Sequence, residues 1–582
     1  MRPRLLCAAA VLAGLAARPS LAAPDLQGLT AQEADALYHV PEGSEGIPYV
    51  WLLALESPVT HKPFLQNPER FGLLADPKSP LPIGLSEAVP VDLEFAGVRM
   101  AGATCAACHV GEVRHRGQSM RIIGGPSMFN ANYFGHELGE ALTQVARHPD
   151  KLMHFVERLI QLEKEDKRAF AASVPAASHE PLKAHLSALI KDNSKGSLGA
   201  SVREHVSQPA SKGSKVSGAI HAFVNKAKTA GHDALSKLDP KKRLEAMEQV
   251  VTGLRHTAAM LENRAKVMML TASQNKEKAI VPGAGRVDAF GTAMHRLYAK
   301  QGVPAPYAPV SFPEVWDAAR TTWYHYDGNT DSIIERNAGN ARGLGFVYDP
   351  KSYASSLQTR SIHSAEATFW KTKPPVWPQP MLGALDAGKV AKGEQIFKQS
   401  CAGYHVDKTF ELVDPQSIGV DPLRARSTQV EIQVGKVKRP ALLVLVDELE
   451  GIVQTAYKRE KVSADEAAKF RFGRPAKATW RVTGKYKIPS LRGVWATAPY
   501  LHNGSVPSLH ALLSPPAQRP KKFLLGSYEL DPVNVGFVTQ PADPARFEFD
   551  TSIAGNHNGG HEFGTKLSEP ERMALIEYLK TM

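Results

Sequence analysis

Residues Cys105-Ala106-Ala107-Cys108-His109 constrain this chain more than any other stretch. Two thiols followed at once by an imidazole, in the order C-x-x-C-H, form the attachment site of c-type haem. The thiols add across the two haem vinyl groups as thioethers, and the histidine reaches the iron as proximal ligand. Five residues thus specify a cofactor, its linkage and one iron ligand, with Cys105, Cys108 and His109 as the working groups. A bare C-x-x-C also serves as a redox pair or as half of a zinc site. Neither use suits this chain, because no second C-x-x-C exists and no strand–helix–strand pattern surrounds the motif.

The N-terminus points to the same compartment. Arg2 and Arg4 precede a mostly apolar run from Leu5 to Leu15, and Ser20-Leu21-Ala22 supplies small residues for cleavage after Ala22. Residues 1–22 are therefore expected to be a signal peptide. The run is too short for a membrane span, and Cys7 has no hydrophobic segment ahead of it to make it a lipoprotein cysteine. A periplasmic or secreted protein without a membrane span in the mature chain is expected. Removing this leader takes three arginines and no acids, so the charge falls from +12 to +9. A basic exported surface suits either an acidic partner or simple solubility. Nothing suggests nucleic-acid recognition.

Of the three remaining cysteines, two are committed to haem and Cys401 is left alone. It opens Cys401-Ala402-Gly403-Tyr404-His405, which is the haem motif with tyrosine at the second thiol. The preceding segment, Ala387 to Ser400, has the period of an amphipathic helix, with Val390 and Phe397 on one face. Running into Cys401, it resembles the opening helix of class I cytochrome c domains. Three readings stay open here: a second haem on one thioether with His405 as ligand, a non-covalent haem on His405, or a lost site with a free thiol.

Residues 23–137 are rich in turns and carry the first motif, approached by the loop Pro77 to Pro82. Residues 138–278 read as a helical, lysine-rich insertion. Leu138, Leu142 and Val145 have helical spacing, as do Leu152, Val156 and Leu159, with Pro149 between the two sets. Ser194 to Ser217 reads as a loop, and the charge run Lys226 to Arg243 as a solvated helix face. Residues 279–380 complete the first domain. They end in an irregular stretch, Tyr348 to Pro380, in which Lys373-Pro374-Pro375-Val376-Trp377-Pro378 has the makeup of a rigid linker. Residues 385–582 form a second domain, closed by a helix from Ser568. The expected fold is mainly α with long irregular loops: two cytochrome c-like domains plus a helical insertion.

Two loops in the C-terminal part, Thr497 to Pro507 and Gly555 to Gly564, are rich in His, Asn and Gly. Together with Leu81-Pro82-Ile83-Gly84, Cys105 to His109, Gly285 to Phe290 and Tyr326-Asp327-Gly328-Asn329-Thr330, they carry a family resemblance. The chain resembles the bacterial di-haem c-type cytochromes that include rubber oxygenases and, more distantly, di-haem cytochrome c peroxidases. The resemblance spans most of the mature chain and is weakest over 138–278. It implies that the haem on Cys105, Cys108 and His109 is the reactive one, with an open side for dioxygen or hydrogen peroxide. It implies an electron-transfer haem at Cys401 and His405, with His561 as its sixth ligand. His502 is then a residue standing behind the ligands. Tyr404 departs from the family pattern and bears on the second site alone.

The chemistry fits that division. A haem with one protein ligand keeps a coordination position open, whereas a bis-histidine haem does not. No individual catalytic side chain is identifiable in the sequence. Phe290, Trp316, Trp323, Tyr324 and Tyr326 suit an apolar pocket beside the first haem, but equally an ordinary core. His115, Met120 and Met128 follow the first motif closely and read as packing or surface residues rather than ligands. The expected function is an exported haem oxidoreductase acting on dioxygen and a hydrophobic organic substrate. The alternatives are peroxide reduction with a redox partner protein, or electron transfer without chemistry. An oxygenase needs the degenerate second site least, because both atoms of dioxygen can enter the product without net electrons.

Overall fold

The structure, a computed structural model, describes residues 26–89, 99–148, 280–344, 348–475, 479–539 and 547–582, with scattered positions between 151 and 162. The expected signal peptide, Pro149 and nearly all of the insertion, including Ser194 to Ser217 and Lys226 to Arg243, lie outside the described residues.

Helix α1 (Ala31–Tyr38) starts at a capping box between Thr30 and Glu33. Helix α2 (Tyr49–Ala54) is apolar nearly all round, and its Trp51 is fully buried. Strands β1 (Ile47–Pro48), β2 (Leu85–Ala88) and β3 (Met100–Ala103) form a small antiparallel sheet in the order β1-β3-β2. Strand β3 leads through Thr104 into α3 (Cys105–His109), which is the first haem motif. The chain then turns directly into the hairpin β4 (Val110–His115) and β5 (Gln118–Ile123). Arg116 and Gly117 close it with φ of 49° and 79°, the left-handed pair a tight hairpin turn needs.

Helix α4 (Ala131–Arg147) is capped by Asn130. Leu138, Leu142 and Val145 are buried at the expected helical spacing. They join Trp51, Phe64, Phe71 and Phe129 in the first core. The helix begins seven residues before the expected boundary at 138, so its N-terminal turns belong with the first core rather than with an insertion.

Helices α5 (Ala289–Tyr298), α6 (Ile334–Leu344) and α7 (Thr359–Lys371) follow. Helix α7 corrects the sequence expectation, since it lies inside the stretch 348–380 read as irregular. Ile362, Ala365, Glu366 and Phe369 are buried on one face of it, a 3–4 spacing that the flanking prolines obscured. The proline stretch after it is not a free spacer. The Pro375 carbonyl accepts from Trp495 Nε1 at 3.0 Å, and Trp377 stands edge-on to Trp495 in the C-terminal core.

Helix α8 (Ala387–Ser400) occupies the predicted span, with Asp386 as its cap, and α9 (Ala402–His405) carries the degenerate motif. Gly393, Ile396 and Phe397 of α8 pack on the last helix, α11 (Glu569–Leu579). A Cβ on Gly393 would stand 2.0 Å from the Ala574 carbonyl oxygen, so only glycine lets the two helices meet. Between them in sequence, not in space, comes α10 (Ala441–Glu460), with Leu442, Leu445, Leu449, Ile452, Val453 and Ala456 buried. That face packs on α5 and α6, so a helix from the expected second domain completes a core begun by residues 290–341. Likewise Val113 and Ile122 of the first hairpin pack with Val494, Trp495, Leu575 and Ile576. The boundary expected near 380 therefore crosses two cores. Among the described residues no helix is long and apolar enough to cross a membrane.

Candidate haem sites

At the first site, α3 presents Cys105, Cys108 and His109 on one short turn. All three are only partly buried, although they are embedded in a folded core. His109 Nδ1 lies 3.0 Å from the Pro313 carbonyl oxygen, so Nδ1 donates and Nε2 is the free nitrogen. The ring is flanked by Phe312 and, edge-on, by Phe369 at 6.0 Å. Desolvation, reinforced by Arg336, pushes its pKa down to about 4. The imidazole is thus neutral at physiological pH, the state that ligates a metal. Burial raises both thiols well above the usual range.

A buried acid stands beside them. Cys105 Sγ donates to Glu42 Oε2 at 3.0 Å. Glu42 is 3% exposed, and burial pushes its carboxyl up to about 8. Glu45, also buried, accepts from the backbone N–H groups of Glu42 and Gly43 and from Ser86 Oγ. Arg336 is paired with Glu366 close by, and both act electrostatically on Cys105.

The second site repeats the first in its local design. His405 Nδ1 lies 3.1 Å from the Pro489 carbonyl oxygen, again leaving Nε2 free. The Pro489 carbonyl follows strand β7 (Tyr486–Lys487), which pairs with β6 (Leu412–Val413). His561 stands across from His405, with ring centroids 6.2 Å apart. An iron between two imidazoles needs about 6.2 Å, from two metal–nitrogen bonds of about 2 Å and a centroid-to-nitrogen distance of about 1.1 Å in each ring. Burial holds both histidines below their ordinary pKa, His561 at about 4.

His561 is placed by the chemistry of its loop. It has φ of 48° and follows Gly560 at 74°. A Cβ on Gly560 would stand 2.2 Å from the Gly419 carbonyl carbon. Arg519 Nη1 donates to the Gly560 carbonyl at 2.8 Å, and His561 N–H donates to Ile418 at 2.8 Å. Asn503 Nδ2 ties the neighbouring loop to the carbonyls of Gly555 and His557.

Cys401, Tyr404, His405 and His561 share the wall of a largely apolar cavity of about 220 Å³. Tyr404, at the second-thiol position, is 36% exposed and leans on Phe563 at 5.2 Å. His502 is buried in the same wall, its ring tilted against Tyr486 with centroids 4.2 Å apart. Burial, with Arg286 and Arg424 nearby, lowers its pKa to about 3. The donor set fits haem at both sites: two thiols at the first and one at the second, each beside an imidazole oriented by a backbone carbonyl.

The aromatics expected to line one pocket by the first haem are spread over several places instead. Tyr326 lines the second cavity and Trp316 packs in the C-terminal core. Phe290 packs against Trp480 and His325, Tyr324 lies under Arg336, and Trp323 lies under Arg481. Large rings were recruited by separate cores. His115 Nδ1 is 3.2 Å from the Leu530 carbonyl, Met120 packs against the C-terminal core, and Met128 is buried beside Tyr528. Sequence reasoning missed Pro313, Pro489 and Glu42. The available signal was the recurrence of an apolar-Pro pair, Phe312-Pro313 and Ile488-Pro489, downstream of each motif.

Residues 484–524 match the family model described as RoxA-like, cytochrome c-like. This stretch holds Pro489, Tyr500, His502 and Asn503, and it marks the chain as c-type cytochrome-like, with haem c as the cofactor that such a domain implies. The chain is 26% identical to the uncharacterized protein y4iJ of Sinorhizobium fredii (strain NBRC 101917 / NGR234), over 94% of this chain and 91% of that protein. It is 28% identical to the uncharacterized protein y4iM of the same strain, over 47% of this chain and 65% of that protein.

Proposed function

We propose that this chain is an exported di-haem c-type cytochrome oxidoreductase with unequal sites. Cys105, Cys108 and His109 would hold the reactive haem, whose chemistry would be dioxygen-dependent cleavage of a hydrophobic organic substrate. Cys401, through one thioether, with His405 and His561 would hold a second haem, whose chemistry would be electron transfer. The observation that carries this reading is the asymmetry around the two motif histidines. His405 has a second imidazole at ligand distance, whereas the ring neighbours of His109 are Phe312 and Phe369.

Bound haem supplies an iron that binds and activates oxygen species. The protein's part is to hold and orient. The Pro313 carbonyl fixes the His109 tautomer, and an imidazole kept neutral by burial presents its lone pair through Nε2. The Phe312 and Phe369 rings flank the His109 imidazole and restrict its orientation. Glu42 holds a proton at its carboxyl beside Cys105.

A second reading, peroxide reduction with electrons relayed through the second haem, is favoured by one feature. The His405–His561 pair stands although the second thiol is replaced, so Tyr404 does not by itself remove the relay. Haem-loaded protein incubated under air with polyisoprene or an unsaturated lipid is expected to yield carbonyl products. No product across such substrates, together with brisk hydrogen peroxide turnover, would overturn the oxygenase reading in favour of the second.

A further inference from the structure

The wall of the second cavity contains a lysine that the site has not yet accounted for. Lys487 sits at the end of β7, two residues before the proline that orients His405. Its backbone is fixed on both sides. Its N–H donates to the Tyr326 carbonyl at 2.6 Å, and it pairs in register with Leu412. Lys487 belongs to the cavity wall together with His405, Tyr326 and Glu314.

Its charge lacks a close partner. Nζ donates to the Trp323 carbonyl at 2.9 Å and lies 5.6 Å from the Phe410 ring centre. An ammonium carries three donors, so two remain for other acceptors. Among the described residues no carboxylate lies within ion-pair distance of Nζ. Glu314, Asp327 and Asp317 act on it only at longer range, and Arg336 opposes them. Burial pulls the ammonium down to about 8 and pushes the Glu314 carboxyl up to about 7, so neither settles the other. A cation kept in an apolar wall without a counter-ion is costly unless a ligand supplies one.

A haem brings two carboxylates on flexible arms. We propose that Lys487 is the anchor for a propionate carboxylate of the second haem. The inference rests on the proposed second haem site and adds a binding residue to it. Lys487 is a positioning group: it fixes the haem edge while His405 and His561 fix the iron. With only Cys401 available for a thioether, such a polar anchor matters more here than at the first site. It also places a positive charge beside the haem, and a positive charge favours the ferrous over the ferric state.

The test compares full-length wild type, Lys487→Met, Lys487→Arg and Lys485→Met. The last changes an exposed lysine two residues away and controls for charge and folding. Haem per chain is read by pyridine haemochrome, and each midpoint potential by spectroelectrochemistry. Lys487→Met is expected either to lose the second haem partly or to keep it with a more negative midpoint. The first haem stays unchanged, Lys487→Arg restores wild-type values, and Lys485→Met behaves as wild type. A Lys487→Met protein with two haems and an unshifted second midpoint would overturn this inference alone. A wild type carrying one haem would overturn the second site itself, and this anchor with it.

Discussion

Replacing Glu42 by glutamine should stabilise the protein, and by more as the pH rises. The carboxyl is 3% exposed and its folded-state pKa stands at about 8, against 4.5 for the unreacted group. A group with a raised folded-state pKa contributes fully below its unfolded value and loses that contribution as pH climbs towards the folded one. Between pH 5 and pH 7 the unfolded chain releases the Glu42 proton and the folded chain keeps it. At 1.36 kcal/mol per unit, the growing penalty over that interval is about 2.5 kcal/mol. Glutamine has the same shape, is neutral throughout and escapes this penalty. Thioether formation at Cys105 acts in the same direction, because it removes the S–H donor that holds the carboxyl down. The assay is urea unfolding of wild type and Glu42→Gln in matched buffers at pH 5, 6 and 7, followed by far-UV circular dichroism. The stability difference should shift in favour of the variant by about 2.5 kcal/mol over the series. A difference that is flat with pH, or that moves towards the wild type, would refute the assignment of Glu42 as a buried neutral acid.

His561→Ala removes the imidazole 6.2 Å from His405. The second haem should pass from low-spin to high-spin in electron paramagnetic resonance, added imidazole should restore it, and the first-haem signals should not change. Tyr404→Cys completes the C-x-x-C-H motif at residues 401–405. Tryptic mass analysis should then find haem on this peptide through two thioethers, and the reduced α-band should move to shorter wavelength. An unchanged linkage would mean that the attachment machinery rejects this segment for reasons other than its missing thiol.

The sequence exposed what is local. The motif at 105–109, the helix 387–400 with its close-packed Gly393, and the capped helix from Ser568 all depend on short-range spacing, and each lies where it was expected. The block ending in Gly560-His561 was singled out by resemblance, and it stands opposite His405 because Gly419 and Gly560 allow two backbones to touch. What depends on long-range packing was not legible. Nothing near Ala441–Glu460 in sequence says that its apolar face meets helices 289–298 and 334–344. The helix 359–371 was hidden between proline-rich flanks that pattern reading takes for irregular chain. Pro313 and Pro489 act through backbone carbonyls, which side-chain chemistry does not advertise. Lys487 looked like any other lysine until its place in a cavity wall was known.

The bond from His109 to the Pro313 carbonyl spans 204 residues of chain. A polypeptide made or exported N-terminus first presents Cys105, Cys108 and His109 long before residue 313 exists beside them. The motif is thus available for thioether formation before the contact that sets the tautomer and tilt of its own histidine exists. Attachment and seating are separable on this geometry, because the His109 contact requires Phe312-Pro313-Glu314 to be in place. The outer residues of that tripeptide line the cavity at the second candidate site. A substitution that disturbs closing of the C-terminal half is therefore expected to leave any haem attached at Cys105 and Cys108 with an unseated His109, a failure that haem content alone would miss.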